Sequence, residues 1–210
     1  MSSILAENQR GLYAITPDSI PDERLFKMVG DALLAGASIV QFRAKNVPFT
    51  QTVGLVSQLA ILCRTRDVPL IVNDDLDLAL ATGASGVHLG RDELGLLPKA
   101  RASHPRLIIG VSCYASIERA RAAVSEGADY VAFGSFFPSA TKPSAVRCPI
   151  EVLRLAREEL SVPIVAIGGI TPENGGALVD AGADYLAAIS GVFDQHAIPA
   201  AVAAYRRLFT

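Results

Sequence analysis

One motif, present four times, constrains the fold of this chain more than any other feature of its sequence. The tripeptide Gly-Ala-Ser or Gly-Ala-Asp begins at Gly36, Gly83, Gly127 and Gly182, and a short apolar stretch follows each copy. Glycine suits the left-handed residue that ends a helix, and the apolar stretch is too short to be another helix. The copies lie about 45 to 55 residues apart, which fits two strand–helix units. The four copies therefore predict an eight-stranded parallel barrel in which every second strand follows one copy of the motif.

The rest of the chain completes a strict alternation of strands and helices. Strands are predicted at residues 12–16, 38–42, 69–72, 86–89, 107–111, 130–134, 163–167 and 185–189. A helix is predicted after each strand, the seventh with Thr171 as its cap and the eighth continuing to about Phe209. No linker-like stretch divides the sequence. We therefore expect an α/β protein in which residues 1–210 form one domain, a (β/α)8 or TIM barrel.

Composition limits the functions that such a barrel could have. The chain has 210 residues, of which 50% are hydrophobic and 19% charged, and its net charge of −2 gives no general attraction to nucleic acids or anionic membranes. No apolar run has the length of a membrane span, and the first residues lack a signal-peptide pattern. Three widely spaced cysteines indicate reduced thiols. We expect a cytoplasmic protein whose partners are small molecules, with a homo-oligomer left open.

Polar residues follow the predicted strands at their carboxyl ends, where TIM barrels carry their active sites. In strand order these residues are Gln41, Arg43 and Lys45; Asn73 and Asp74; Glu93; Ser112; Ser139, Thr141 and Lys142; Gly168 and Gly169; and Ser190. One such group alone is usually a solvated loop. Seven groups on one rim indicate a binding site.

Charge and backbone chemistry divide this rim into two halves. Arginine and lysine bind phosphate oxygens, and Mg²⁺ takes one or two carboxylates together with substrate phosphate oxygens, so the cations with Asp74 and Glu93 predict a magnesium diphosphate site. Mutual ion pairing of these charges without a ligand is the alternative. Gly168-Gly169 and Ser190-Gly191 predict a phosphate site in the last two loops, with tight turns as the alternative.

Neither the histidine of the fourth strand nor the cysteine near the rim is predicted to be catalytic. His88 lies inside a predicted strand and is interpreted as a packed barrel residue rather than a base. Cys113 lies near the rim, but no histidine accompanies it in the sequence, so it is not predicted to be a nucleophile.

Several segments resemble the thiamine phosphate synthase family, over nearly the whole stretch from residue 12 to about residue 193. The matching segments are Gln-Phe-Arg-Ala-Lys at 41–45, Asn-Asp at 73–74, Gly-Val-His-Leu-Gly at 86–90, Gly-Val-Ser at 110–112, Phe-Pro-Ser-Ala-Thr-Lys at 137–142, Ala-Ile-Gly-Gly-Ile at 166–170 and Ile-Ser at 189–190. The resemblance implies an enzyme that couples 4-amino-2-methyl-5-pyrimidinylmethyl diphosphate to a thiazole phosphate, releasing diphosphate.

The resemblance also implies roles for single residues. The pyrimidine diphosphate would be bound by Gln41, Arg43, Lys45, Asn73, Ser112 and Lys142, and the thiazole phosphate by Ser139, Thr141, Gly168, Gly169, Ile189 and Ser190. Asp74 and Glu93 would hold Mg²⁺, the implied cofactor. Arg43, Lys45 and Lys142 would be catalytic, because they stabilise the diphosphate as it leaves. No general base is required.

The chain departs from the family pattern mainly after the fourth strand. Glu93 stands where aspartate is usual, and Arg91 where glutamine is usual, so both metal geometry and efficiency are in question. Two other functions stay open: a thiazole tautomerase-like enzyme and a non-catalytic phosphate-binding paralogue. The tautomerases use a histidine two residues after the serine of strand five, where this chain has Tyr114. Whether residues 135–148 close over substrate and whether the thiazole carries a carboxylate are also open.

Overall fold

Eight parallel strands close into a barrel in the computed structural model of this chain, which describes residues 10–18, 22–45, 47–139 and 146–210. The strands are β1 (Gly11–Ile15), β2 (Ile39–Phe42), β3 (Leu70–Asn73), β4 (Gly86–Leu89), β5 (Ile108–Tyr114), β6 (Tyr130–Gly134), β7 (Ile164–Ile167) and β8 (Tyr185–Ala188). Each strand pairs with the next along the chain, and β8 pairs with β1. The predicted (β/α)8 barrel is confirmed.

Helices alternate with these strands around the barrel. They are α1 (Asp22–Leu34), α2 (Phe49–Arg64), α3 (Leu76–Thr82), α4 (Leu97–Ser103), α5 (Ile117–Ser125), α6 (Glu151–Glu159), α7 (Gly176–Asp180), α8 (Ser190–Phe193) and α9 (Ile198–Arg206). Short 3₁₀ helices span Leu94–Leu96 and Arg207–Phe209. The predicted alternation is thus confirmed for the part of the chain that the structure describes, with two local differences after β7 and β8.

The two differences concern where the last helices begin. Thr171 was predicted to cap a helix, but its backbone N–H donates to Asn174 Oδ1 (2.8 Å), and this turn precedes α7. Two consecutive glycines, which are poor helix formers, follow the turn and delay the helix. The single helix predicted after β8 is divided into α8 and α9, with a proline in the first turn of α9.

The four repeated glycines have the role that the sequence predicts. Gly36, Gly83, Gly127 and Gly182 have φ values of 95°, 66°, 100° and 110°. Each lies between the end of a helix and the start of β2, β4, β6 or β8. A left-handed residue satisfies the last carbonyl groups of the helix and turns the chain back toward the sheet, so the same sequence punctuation recurs at each of these points.

Side chains alternate between the outer and inner faces of the barrel wall. Outward residues such as Val40, Val87 and Val131 pack beneath the helices. Inward residues such as Tyr13, Ile71 and Tyr130 form a separate core inside the barrel. Toward the carboxyl ends of β2 to β5 the inward positions become polar: these are Gln41, Asn73, His88 and Ser112. This change from apolar to polar residues marks the floor of the functional site.

A glycine on β5 makes room for one of the tyrosine side chains inside the barrel. Tyr130 on β6 is fully buried, and its ring lies against the backbone of Gly110 on β5. A Cβ atom at Gly110 would lie 1.9 Å from Tyr130 Cζ and 2.3 Å from its hydroxyl oxygen. Any side chain at residue 110 would therefore displace Tyr130.

We predict that Gly110→Ala lowers the free energy of unfolding by about 1–3 kcal/mol, because the core must rearrange to admit one methyl group. Gly54→Ala is the matched control, since Gly54 lies in α2 with open space where its Cβ would be. That control should raise the free energy of unfolding by about 0.5–1 kcal/mol through helix propensity. Urea unfolding measures both, and equal midpoints for Gly110→Ala and the unchanged protein would contradict the packing.

The three cysteines are unpaired and buried on the outer side of the barrel wall. Burial raises the pKa of the Cys63 and Cys113 thiols to about 12 and that of Cys148 to about 11. Cys113 Sγ contacts the Val111 carbonyl oxygen at 3.6 Å. These thiols are therefore protonated at neutral pH, which agrees with the prediction that Cys113 is not a nucleophile.

We predict that all three thiols react with Ellman's reagent at pH 8 at least about 100-fold more slowly in the folded protein than in the unfolded chain. The raised pKa values leave almost no thiolate at that pH, whereas exposed cysteines carry an appreciable thiolate fraction. The same protein in concentrated guanidinium chloride is the control. One fast-reacting thiol in the folded protein would disprove the assignment for that residue.

Candidate functional site

Among the described residues, two cavities meet at Asn73: the first opens at the carboxyl end of the barrel, and the second lies between α3 and α4 and reaches the rim at Lys45 and Asp74. The first has a volume of about 630 Å³, and the predicted site residues that line it are Gln41, Arg43, Asn73, Ser112, Ser139, Gly168, Gly169, Ile189 and Ser190. The second has a volume of about 870 Å³ and is lined by Lys45, Asn73 and Asp74, and also by Lys99, which the sequence analysis did not select. Thr141 and Lys142 lie outside the described residues.

Asp74 and Glu93 converge on the space above Gly90. A Cβ atom at Gly90 would lie 2.8 Å from Glu93 Oε2 and 3.1 Å from Asp74 Oδ1, so both carboxylates reach the same point. The described residues contain no group of three or more side chains suited to hold a metal by themselves. Two carboxylates completed by phosphate oxygens and water are the usual ligand set of Mg²⁺ in phosphate-binding enzymes. The donors present fit Mg²⁺, and the extra methylene of Glu93 does not keep its carboxylate away.

Backbone and side-chain contacts hold Asp74 in position. Its φ of 63° is left-handed, a conformation that aspartate tolerates better than most residues. Its N–H donates to the His88 carbonyl oxygen (2.8 Å), and Asn73 Nδ2 donates to Asp74 Oδ2 (2.6 Å). The adjacent strand and the preceding residue thus fix the direction of the carboxylate.

Arg43 is buried, and its partner is an aspartate that the sequence analysis did not select. Arg43 Nη1 forms an ion pair with Asp18 Oδ2 at 2.6 Å, and its backbone N–H donates to Thr16 Oγ1 at 2.9 Å. Asp18 Oδ1 also accepts the backbone N–H of Lys45 (3.3 Å). The loop after β1 therefore orients the cations that follow β2. The sequence signal was the Asp18 carboxylate directly after the first strand, on the same rim.

The cations and the two converging carboxylates do not neutralise one another. No ion pair in the described part of the chain joins Arg43 or Lys45 to Asp74 or Glu93. Arg43 pairs with Asp18 instead, so the predicted alternative does not hold for Arg43 and Lys45 with these two carboxylates, whereas Lys142 lies outside the described residues. Lys45 and Asp74 both line the second cavity and do not form an ion pair with each other.

Arg91 stacks on an aromatic ring instead of pairing with its neighbour Glu93. Its guanidinium carbon lies 4.8 Å from the centre of the Tyr114 ring, and that of Arg119 lies 5.5 Å from the same ring. Arg119 Nε donates to the Ser112 carbonyl oxygen (2.8 Å), which anchors the stack to β5. Tyr114 itself is left-handed, with a φ of 57°, beside an irregularity in the pairing of β5 with β6. The positive charge of Arg91 consequently lies at the rim of the first cavity.

The backbone conformation and the close contacts at residues 168 and 169 require glycine at both positions. Their φ values are 109° and 60°, and a Cβ atom would lie 2.0 Å from Ser135 Oγ at Gly168 and 2.2 Å from the Pro138 carbonyl oxygen at Gly169. The segment after β6 packs against this turn, and Phe137 N–H donates to the Gly168 carbonyl oxygen (2.9 Å). The tight-turn interpretation thus accounts for both glycines, and both also line the first cavity together with Ser190, where α8 begins.

A continuous chain of hydrogen bonds crosses the barrel beneath the first cavity. Gln41 Nε2 donates to Tyr13 Oη (2.8 Å), and the Tyr13 and Tyr130 hydroxyl oxygens are 2.7 Å apart. Tyr130 Oη is 3.0 Å from His88 Nδ1, and His88 Nε2 is 2.9 Å from Ser112 Oγ. Five strands contribute one residue each, so the chain ties the barrel interior together.

His88 is therefore more than a packed residue, although it is only 7% exposed, as the sequence interpretation requires. Its ring lies in the wall of the first cavity and links Tyr130 to Ser112. The sequence analysis did not select Tyr13 and Tyr130 either. The signal that could have found them is the period of two along each strand, which puts all three on the inner face with Gln41 and Ser112.

Comparison with known proteins identifies the family of this barrel. The family model described as thiamine monophosphate synthase matches residues 12–192. A thiamine-phosphate synthase of Aromatoleum aromaticum is 50% identical over 200 residues, covering 95% of this chain and 96% of that protein. One of Thiobacillus denitrificans is 48% identical over 199 residues, covering 95% and 94%.

Solved structures agree with the sequence comparisons. A thiamine phosphate pyrophosphorylase of Pyrococcus furiosus has a TM-score of 0.85 and 36% identity, with 96% of each chain covered. A 3-hexulose-6-phosphate synthase has a TM-score of 0.68 and 17% identity, which shows a shared fold alone. Among the described residues, no helix is long and apolar enough to cross a membrane.

Proposed function

Since this chain belongs to the thiamine monophosphate synthase family, we propose that the first cavity, together with the adjoining rim at Lys45, Asn73 and Asp74, holds the two substrates of thiamine-phosphate synthase. The enzyme couples 4-amino-2-methyl-5-pyrimidinylmethyl diphosphate to a thiazole phosphate, giving thiamine phosphate and diphosphate. The observation that carries the assignment of the site is the convergence of Asp74 and Glu93 above Gly90, beside a cavity lined by Lys45 and Asn73.

The diphosphate half of the site extends across both cavities. Lys45 and Asn73 contact the second cavity, and Arg43 contacts the first, so a diphosphate near Asn73 is within reach of groups from both sides. The Asp18 ion pair holds the Arg43 guanidinium in one orientation, which reduces the entropy lost on binding. Lys142 belongs to this half by resemblance, and Gln41 and Ser112 hold the pyrimidine.

Asp74 and Glu93 are proposed as the protein ligands of Mg²⁺. Bound Mg²⁺ supplies positive charge to the diphosphate as it departs. Asn73 and the His88 carbonyl oxygen keep Asp74 directed toward the shared point above Gly90. The absence of a Cβ at residue 90 leaves that point open, which supports the metal assignment over a purely structural role for the two carboxylates.

The thiazole phosphate half lies on the opposite side of the first cavity. Its proposed residues are Ser139, Thr141, Gly168, Gly169, Ile189 and Ser190, of which the described ones line this cavity. Phosphate sites in TIM barrels frequently use the loops after the seventh and eighth strands together with a short extra helix. The turn at Gly168 and the start of α8 at Ser190 provide these elements.

The proposed chemistry is a dissociative substitution. The bond between the pyrimidinyl methylene carbon and the diphosphate oxygen breaks, and its electron pair leaves with the diphosphate. The thiazole nitrogen then donates its lone pair to the resulting methylene cation, so no proton is transferred. Arg43, Lys45 and Lys142 stabilise the departing charge. Apolar residues of the cavity wall, including Ile15, Val165 and Ile167, limit the access of water that would capture the cation instead.

The tautomerase-like alternative has less support. It needs a histidine two residues after Ser112, and that position holds Tyr114, whose ring is stacked between Arg91 and Arg119. The non-catalytic alternative rested on Glu93 and Arg91. The Glu93 carboxylate lies near the same point as the Asp74 carboxylate, and Arg91 stacks on Tyr114 without forming an ion pair with Glu93. Neither departure from the family pattern therefore removes a proposed metal ligand. The single catalytic domain over residues 1–210, the cytoplasmic location and a possible homo-oligomer stay predictions.

We predict that thiamine phosphate forms from the two substrates only when Mg²⁺ is present. Asp74→Asn and Glu93→Gln should each lower kcat about 100-fold or raise the Mg²⁺ concentration needed for half-maximal rate, because a ligand charge is lost. Asp92→Asn is the matched control, since Asp92 is an exposed carboxylate that lines neither cavity. Absence of product under every metal condition would disprove the proposed function.

We predict that Lys142→Ala and Ser190→Ala affect different kinetic constants. Lys142→Ala should lower kcat about 100-fold or more, since its charge acts on the leaving group. Ser190→Ala should raise the KM for the thiazole phosphate about tenfold with little change in kcat, because it removes a binding contact. Arg66→Ala serves as the surface control. Equal losses of substrate affinity in both variants, with kcat unchanged, would contradict these roles.

A further inference from the structure

The buried chain from Gln41 to Ser112 has a direction, because each hydroxyl group in it carries one proton. Gln41 Nε2 donates to Tyr13 Oη, so the Tyr13 proton is donated to Tyr130, and the Tyr130 proton to His88 Nδ1. The imidazole proton then lies on Nε2 and is donated to Ser112 Oγ. With Gln41 Nε2 facing Tyr13, the opposite direction would leave the Tyr13 proton without an acceptor among the described residues. Burial raises the pKa of both tyrosines above the ordinary value, so both stay protonated.

The two ends of this chain present opposite hydrogen-bonding groups to the first cavity. No donor among the described residues reaches Gln41 Oε1, and Gln41 lines the cavity, so this oxygen is available as an acceptor. Ser112 Oγ already accepts from His88, so its own proton is available for donation into the cavity. The barrel floor therefore offers an acceptor at β2 and a donor at β5.

We propose that this chain of hydrogen bonds fixes which groups of the pyrimidine pocket donate and which accept. The enzyme thereby selects an aminopyrimidine over the corresponding oxopyrimidine. Tyr13, Tyr130 and His88 act as positioning residues. The amino group of the substrate donates to Gln41 Oε1, and a ring nitrogen accepts the Ser112 proton. An oxo group in place of the amino group puts a carbonyl oxygen against Gln41 Oε1, where two acceptors face each other. The proposal rests on the proposed function and its pyrimidine half.

The direction of these hydrogen bonds is hard to reverse, because every donor and acceptor from Gln41 to Ser112 would have to change its role together. If the Gln41 amide turned to accept an analogue, its Oε1 would face Tyr13, and the protons of Tyr13, Tyr130 and His88 would all have to shift. Such a shift would turn Ser112 Oγ into an acceptor toward the cavity, which no longer suits a ring nitrogen. Tyr130 is the central link, and its ring occupies the space where a side chain at residue 110 would lie. The polarity is therefore held by Tyr13 and His88 in the cavity wall and by Tyr130, which does not line the cavity.

The first test compares two substrates with the unchanged enzyme. The pyrimidinylmethyl diphosphate with its 4-amino group is compared with the same compound carrying an oxo group at that position. We expect kcat/KM to be at least about 100-fold lower for the oxo compound, because polar groups in the pocket are left unpaired. Normal turnover of the amino substrate with equal turnover of the oxo compound would overturn the proposal alone. Failure with both would instead contradict the proposed function.

The second test removes single links. Tyr130→Phe should reduce the amino-to-oxo preference about tenfold and leave the KM for the thiazole phosphate unchanged. Adding Tyr13→Phe to Tyr130→Phe should reduce the amino-to-oxo preference little further, since residues of one hydrogen-bond network act as a unit. Tyr185→Phe is the matched control, because Tyr185 is equally buried in the barrel core but lies outside the chain.

The amino-to-oxo preference of these variants distinguishes a positioning role of Tyr130 from a merely structural one. A preference that falls in Tyr130→Phe and not in Tyr185→Phe supports the proposal, and so does non-additivity in the double variant. A lower kcat/KM for both pyrimidines with an unchanged preference would overturn it, because a merely structural role predicts that pattern. If Tyr130→Phe does not fold, Tyr13→Phe is measured in its place, and the comparison of substrates with the unchanged enzyme still decides the selectivity.

Discussion

Parallel pairing of β8 with β1 closes the sheet, and the position of each functional side chain depends on that closure. A closed parallel sheet has no free edge, and it brings all eight carboxyl ends of the strands to one rim. Residues that are far apart in sequence, such as Asp18 and Arg43, or Asp74 and Glu93, become neighbours there. The repeated helix-ending glycines serve this closure, because they return the chain to the sheet at a regular position.

Closure also creates a narrow interior, which side chains fill. The lower part is filled by apolar residues and tyrosine rings, and the upper part by the hydrogen-bonded chain that ends at Gln41 and Ser112. Buried polar groups are stable only when they are paired, so these side chains have few alternative arrangements. The packing that stabilises the barrel and the polarity of the pocket above it therefore share the same residues.

Charge at the rim is arranged by local partners. Asp18 pairs with Arg43, Arg91 stacks on Tyr114, and Asn73 donates to Asp74, so each of these charged side chains is oriented by its own partner. Such orientation matters for a reaction that releases a diphosphate. Positioned charges then act on the leaving group without reorganising first.

The barrel could be predicted from the sequence, because the short apolar strands and the helix-ending glycines are local signals with a direct physical cause. It also placed Gln41, Asp74 and Ser112 on the functional rim, since residues directly after parallel strands lie on one edge. Only the tertiary structure decided which residues contact each other across the barrel. The link from His88 to Tyr130 and the pairing of Asp18 with Arg43 join residues 42 and 25 positions apart, and such contacts follow from three-dimensional packing that no local pattern encodes.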